Sequence, residues 1–407
     1  MGTYEDILAR CTSKGDTAAL AALVSFVTER SLSVKEIAQM VASLANSGER
    51  LTVPTHRTAD IASTGGPTSL STLLCPLYLR RLGFCVPALG MPGRPAGAVD
   101  VLAQIPGYQV HLSPAEARKV LNQCGYLHVV ADSHFAPLDA RLFAFRGRTN
   151  TVALPVLVVS SLLAKKLAMG VRTVGLDIRV GPHGNFGCSF PEAKANAALF
   201  CQVAAAIGIR ATCFLTDASV PFQPHVGRAE SLLALVDLLE GRASEWLKEH
   251  ADMCERMALA LLDGHSVLAE TGLQTVFAQN LEAQGSSYAR CLEYVEQIKT
   301  APRVSIVAER SGFVAIDLGV LRSAIAAGQS DALRSSCCEF PDGCGVVLTR
   351  RTDERVERGD AIGLVRCSAK SGIKLVDSIK RAFHIRDAPY FSAPMDMVHS
   401  EVQFLTG

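Results

Sequence analysis

Net charge is nearly absent from this chain. Lys and Arg total 40 against 39 Asp and Glu, and charged residues are only 19% of the 407. No basic field draws in nucleic acid, and no acidic tail repels it. A membrane-length apolar run is also missing. The most apolar stretch, TVALPVLVVSSLLAKKLAMG, is broken by serines and by Lys165 and Lys166, and reads as buried structure. The opening MGTYEDILARCTSKGD holds no apolar core of signal-peptide length. The 13 cysteines are scattered, and several sit in apolar segments as small buried hydrophobes do. Cys337, Cys338 and Cys344 have no histidine or second cysteine pair at zinc-site spacing. HExxH, a phosphate-binding lysine loop, paired catalytic carboxylates and any fixed-period repeat are likewise lacking. The expectation is a reduced, cytoplasmic protein with no metal or coenzyme, and with no nucleic-acid or membrane partner.

What is present is apolar. Hydrophobic residues are 49% of the chain, enough for a large core and a subunit interface. Residues 4–47 carry helical periodicity. Asp16 or Thr17 caps TAALAALVSFVTERS, and Ser33 caps VKEIAQMVASLANSG, with Gly48 expected to end it. From 54 onward, short strands such as FCVPAL and YLHVVA alternate with helices such as SLSTLLCPLYLRRLG and SPAEARKVLNQCG. ALPVLVVSSLLAKKLAMG returns to helix. TVGLDIRVG, PEAKANAALFCQVAAAIG and IRATCFLTD then renew the alternation. ESLLALVDLLEGRASEWL reads as one packed helix with the single tryptophan near its end. The pattern predicts an α/β protein with a separate helical domain and a small C-terminal α+β domain. Its helical parts are 1–53 and 136–170, its α/β parts 54–135 and 171–307, and its tail 308–407.

Several stretches, in order, resemble the thymidine and pyrimidine-nucleoside phosphorylase family, whose members transfer a pentosyl group between a pyrimidine base and phosphate. The family's Asp-Lys-His-Ser-Thr-Gly-Gly is similar to DIASTGG from Asp60, and its Asp-x-Leu-Glu-x-Ile-Pro-Gly to DVLAQIPG from Asp100. FAFRGRTNTV, SLLAKK and DIRVGPHGNFG match three further motifs, as do Leu215–Asp217 and Val226–Glu230. The resemblance implies a class II nucleoside-phosphorylase fold and a homodimer through the helical domain. It places base recognition on Arg146, Ser161 and Lys165. These residue types suit that role, because Arg and Lys donate to pyrimidine carbonyls and stabilise the charge a departing base acquires. Ser161 and Lys165, four apart, share a helix face.

The phosphate side departs from the family. Its phosphate lysine falls on Ile61 and the next histidine on Ala62. A family serine falls on Thr72. The closing glycine loop is shortened to GMPGRPAGAVD, where the last family threonine falls on Ala98. Ser63, Thr64 and the glycine amides remain as an anion cradle, with Arg94 the obvious alternative cation. Restoring Ile61→Lys is expected to recover part of the phosphate binding. Arg179 stands for a family lysine. His183 is a candidate for approaching the sugar or for serving as an acid near neutral pH, set against an ordinary solvated turn residue, and His225 is weighed the same way. Asp132 with His134 is a candidate pair for activating water, set against Asp132 capping the next turn. The leading expectation is pentosyl transfer on a pyrimidine nucleoside, with phosphate or another acceptor. The alternatives are a phosphate-independent hydrolase or transferase and a non-catalytic nucleoside-binding protein. Alanine at Arg146 or Lys165 is expected to weaken base binding and leave the fold intact.

Overall fold

The computed structural model describes residues 3–13, 16–93, 95–183, 186–262, 271–333, 339–367, 372–390 and 403–406. Three capped helices open the chain: α1 (Tyr4–Cys11), α2 (Thr17–Glu29) and α3 (Val34–Ala45). The side chains of Thr3, Asp16 and Ser33 accept the amides of Asp6, Ala19 and Glu36, satisfying donors that each first turn leaves open. The α3 helix ends at Asn46, ahead of Gly48. Gly48 has another reason to be small: a Cβ there would lie 2.4 Å from the His134 carbonyl oxygen.

A parallel sheet follows. Strand β1 (Ala59–Ser63) leads through α4 (Ser71–Arg81) to β2 (Val86–Gly90). Helices α5 (Ala98–Leu102) and α6 (Pro114–Cys124) precede β3 (Tyr126–Val130), which pairs in parallel with β2. The chain then leaves the sheet for α7 (Pro137–Thr149) and α8 (Pro155–Ala168), which pack beside α3. It returns as β4 (Thr173–Val180), α9 (Phe190–Ala206) and β5 (Arg210–Asp217). Strand β4 pairs in parallel with both β1 and β5. All eight of its residues are buried, as helices on both faces of a parallel sheet require. A parallel bridge between Thr58 and Cys85 joins the β2–β3 pair to β1.

Strand β6 (His225–Val226) precedes α10 (Arg228–Leu239), α11 (Glu245–Leu259), α12 (Leu273–Ala283) and α13 (Tyr288–Thr300). The single helix expected over 230–247 is two. Gly241 takes φ +71° and Ser244 caps α11, so Trp246 lies in the first turn of a new helix. The last part contains β7 (Arg303–Val307), β8 (Gly312–Ile316), α14 (Leu318–Leu333), β9 (Cys344–Leu348), β10 (Arg355–Val356), β11 (Ala361–Cys367), α15 (Gly372–Lys380) and β12 (Phe383–Arg386). Two antiparallel sheets result, ordered β6-β9-β11-β7 and β10-β8-β12. Strand β13 (Gln403–Thr406) runs back to the parallel sheet, antiparallel to β5. Apolar side chains form two cores. One joins the N-terminal helices to the parallel sheet, and the other lies between the C-terminal sheets and helices.

Candidate active site

Two polar clusters lie within the larger unit. The first sits on the α7–α8 pair. Lys165 is 5% exposed, and its Nζ donates to Asp139 Oδ2 at 2.6 Å and to Ser161 Oγ at 2.8 Å. Ser161 Oγ thus accepts from Lys165, one turn further along α8. Arg146 is 1% exposed. It donates through Nε to the Thr151 carbonyl at 3.3 Å, through one terminal nitrogen to Leu157 at 3.1 Å, and through the other to Val152. These bonds tie down the connection between α7 and α8. Burial pushes Arg146 down to about 10 against the pull of Asp139. Burial also lowers Lys165, opposed by Asp139 and reinforced by Lys166 and Arg146.

The structure thus brings the three expected base-recognition residues onto adjoining helices and adds Asp139. Asp139 is fully buried, and its Oδ1 meets no protein donor among the described residues. A signal for it exists: Asp139 and Arg146 are seven apart, two turns along one helix face. Neither lysine is a solvated helix end. Lys166 pairs with the buried Asp60 of β1.

The second cluster forms where β1 and β4 end. Gly65 and Gly66 take φ +91° and +136°, conformations that glycine permits. Ser63 Oγ accepts the Gly65 amide at 3.2 Å. Thr64 Oγ1 accepts the Arg179 amide at 3.0 Å, so this hydroxyl is engaged within the protein. The side chain of Arg179 lies against Gly66. It donates to Asp177 Oδ2, the Gly66 carbonyl and Ser71 Oγ, each at 3.1 Å. Its other side faces the Phe222 ring, 5.8 Å from the centroid. Asp177 also accepts from Ser71 at 2.7 Å and from Thr216 at 3.0 Å. A cation therefore does reach the cradle, but a buried carboxylate balances it. Thr72 stands half-buried in the first turn of α4.

Ile61 is a core side chain. It is 2% exposed, and a Cβ at Gly175 would come within 2.7 Å of its Cγ1. The side chain packs over Gly175, its register partner on β4. This corrects the expectation for Ile61→Lys, which would drive an ammonium into packed apolar surroundings. Arg94 lies outside the described residues. Around it, Gly93 and Gly97 donate their amides to Asp100 Oδ1 at 2.9 and 3.0 Å. Arg228 holds the other oxygen of Asp100 at 2.7 Å, which pins the short loop to α10.

The remaining candidates scatter. Asp132 does not pair with the His134 ring. Its Oδ1 accepts the His134 amide at 2.8 Å and caps the turn, while Oδ2 meets His111 Nδ1 at 3.1 Å. His111 Nε2 reaches Glu339 at 2.9 Å. His183 is half-buried against the start of α14, where a Cβ at Gly319 would lie 2.6 Å from its Cε1. His225 is buried in β6, which pushes it down to about 4. Sequence reasoning passed over His128 on β3, fully enclosed and also pushed down to about 4 by burial. Its Nδ1 lies 3.2 Å from the Tyr126 hydroxyl.

Comparison with known proteins gives the fold and then the relatives this chain resembles. No family model matches the chain. Among solved structures, anthranilate phosphoribosyltransferase from Thermus thermophilus aligns with a TM-score of 0.51 at 17% identity, covering 73% of this chain and 94% of that one. The fold is accordingly a mixed α/β one related to the phosphoribosyltransferases. Thymidine phosphorylase of Agrobacterium fabrum is 29% identical over 409 residues, covering 94% of this chain and 90% of its own. Thymidine phosphorylase of Mycobacterium tuberculosis is 28% identical, covering 91% and 87%. Pyrimidine-nucleoside phosphorylase of Geobacillus stearothermophilus is 25% identical, covering 90% and 87%. Over most of its length the chain is similar to thymidine and pyrimidine-nucleoside phosphorylases.

Proposed function

We propose that the protein is a pentosyltransferase that cleaves the N-glycosidic bond of a pyrimidine nucleoside. The reading is carried by the buried Lys165–Asp139–Ser161–Arg146 cluster. Two of Lys165's three N–H donors are engaged, as are three of Arg146's five. The rest, with the Ser161 hydroxyl, are available to the carbonyl oxygens of a base. In the reaction the C1′–N bond breaks and its electron pair goes to the base, whose developing charge these donors stabilise. An acceptor oxygen forms the new bond at C1′, and the proton it carries ends on the departing base, which leaves neutral. The names of the relatives support phosphorolysis, with phosphate as that acceptor.

A second reading, with water or another neutral hydroxyl as acceptor, is favoured by the Arg179–Asp177 pair and by Ile61. The cradle supplies hydroxyls and amides, but its arginine is already balanced and the family lysine is replaced by a core residue. Base release from uridine and thymidine, with and without phosphate, separates the two when the sugar product is identified chromatographically. Sugar 1-phosphate supports phosphorolysis, and free sugar the second reading. Bound nucleoside with no base released contradicts both. The same proposal includes the three-part division at 1–53 with 136–170, 54–135 with 171–307, and 308–407. It also includes a cytoplasmic homodimer formed through the N-terminal helices, consistent with the apolar composition of α2. Among the described residues no helix is long and apolar enough to cross a membrane.

A further inference from the structure

A cavity of about 100 Å³ lies between α11, the loop ahead of β6 and the turn at 351–353. None of its lining residues belongs to the Lys165 cluster. His250, 2% exposed, forms part of its wall, with its ring stacked on Phe222 at 5.5 Å between centroids. Nε2 of His250 accepts the Leu70 amide at 2.8 Å. That bond places the proton of the neutral ring on Nδ1. Nδ1 is buried and has no protein partner among the described residues, and the same holds for Thr352 Oγ1 on the same cavity. An unmet buried donor is costly, and two in one lining mark a place where something else supplies the acceptors.

The charges on the rim are unequal in what they leave over. Arg351 lies over the Trp246 ring and is engaged by Glu249 at 2.8 and 3.0 Å. Asp353 accepts the Tyr390 amide at 2.8 Å. Arg256 lines the cavity from an exposed position and forms no ion pair among the described residues. Phe222, Trp246 and Met253 supply an apolar wall. We propose that this cavity is a second ligand site, taking a small carboxylate with a short apolar body. Its oxygens accept from His250 Nδ1 and Thr352 Oγ1, Arg256 balances its charge, and its body lies against Phe222 and Met253. The volume falls below the roughly 150 Å³ that holds benzene, which limits the body to a few carbons. Occupation also bears on the glycine cradle, because the same imidazole holds Leu70 at the start of α4.

Trp246 is the only tryptophan in the chain and lines this cavity, so its fluorescence reports on the site. The probe is butyrate titrated into the full-length protein at constant ionic strength, with butyramide as the uncharged comparison. Saturable change with butyrate in the millimolar range, and none with butyramide, is the expected result. Thr352→Val and Arg256→Gln each weaken it about three- to tenfold, while melting temperatures without ligand stay unchanged. Both variants avoid His250, whose loss would disturb α4. A response that never saturates, or one matched by chloride, overturns the proposal and leaves only water in the cavity. Saturable binding indifferent to both variants, or competitive with uridine, overturns it equally by placing butyrate elsewhere. No arm depends on turnover, so failure here is distinct from failure of the proposed activity.

Discussion

Lys165 and Asp139 decide together what either can do. The pair is buried, so removing one partner leaves the other charge without compensation, a loss of about 3–5 kcal/mol. The sequence expectation that Lys165→Ala leaves the fold intact is therefore withdrawn. Arg146→Ala faces a similar problem, because it strips donors from two carbonyls between α7 and α8 and from one in the first turn of α8. Lys165→Met combined with Asp139→Leu removes both charges and is expected to melt within a few degrees of the parent, while Lys165→Met alone melts far lower. If the single variant is as stable as the double, the two charges are not coupled. Ile61→Lys is expected to lose on the order of 3 kcal/mol by burying an unpaired ammonium. It should gain no protection from phosphate; protection regained at full stability would show that position 61 faces the cradle.

At the scale of elements, periodicity and capping residues revealed most of the helices, because local chemistry determines them. Asp16 and Ser33 cap where the sequence indicated, and DIASTGG runs from β1 into the loop ahead of α4. The break between α10 and α11 was hidden because the five-residue link Glu240–Ser244 carries only one helix breaker, Gly241. Arg179 was read as a substituted lysine. That its guanidinium meets Gly66 and Ser71 depends on two strands meeting from 113 residues apart, which no local pattern encodes. Likewise Asp132 finds His111, not the nearer His134. This last contact carries a pH dependence. Burial pushes His111 down, but hydrogen bonds and charge from Asp132 and Glu339 outweigh it and leave its pKa raised above 6.5. The stabilisation is fully present below that value and is lost as pH rises through the raised one. The melting temperature should fall over that interval, and His111→Gln should flatten the fall. An unchanged slope in the variant would assign the titration to another group.

For the whole molecule, the family pattern was legible because its motifs recur in order along the chain, whereas the state of the phosphate site depends on how distant groups balance one another. A bound dianion stabilises by mass action, so phosphate well above its dissociation constant must raise the melting temperature. With Arg179 held by Asp177 and Ile61 in the core, millimolar phosphate is expected to add nothing beyond sulfate at matched ionic strength. A phosphate-specific rise of several degrees would mean that a cation outside these two clusters completes the cradle. The most direct test of the account compares base release from uridine and thymidine by the parent and by the Lys165→Met, Asp139→Leu protein, each shown to be folded. The account predicts free pyrimidine from the parent and a loss of at least about tenfold in the double variant. Equal rates in the two folded proteins, or no base from the parent under any acceptor condition, would contradict it.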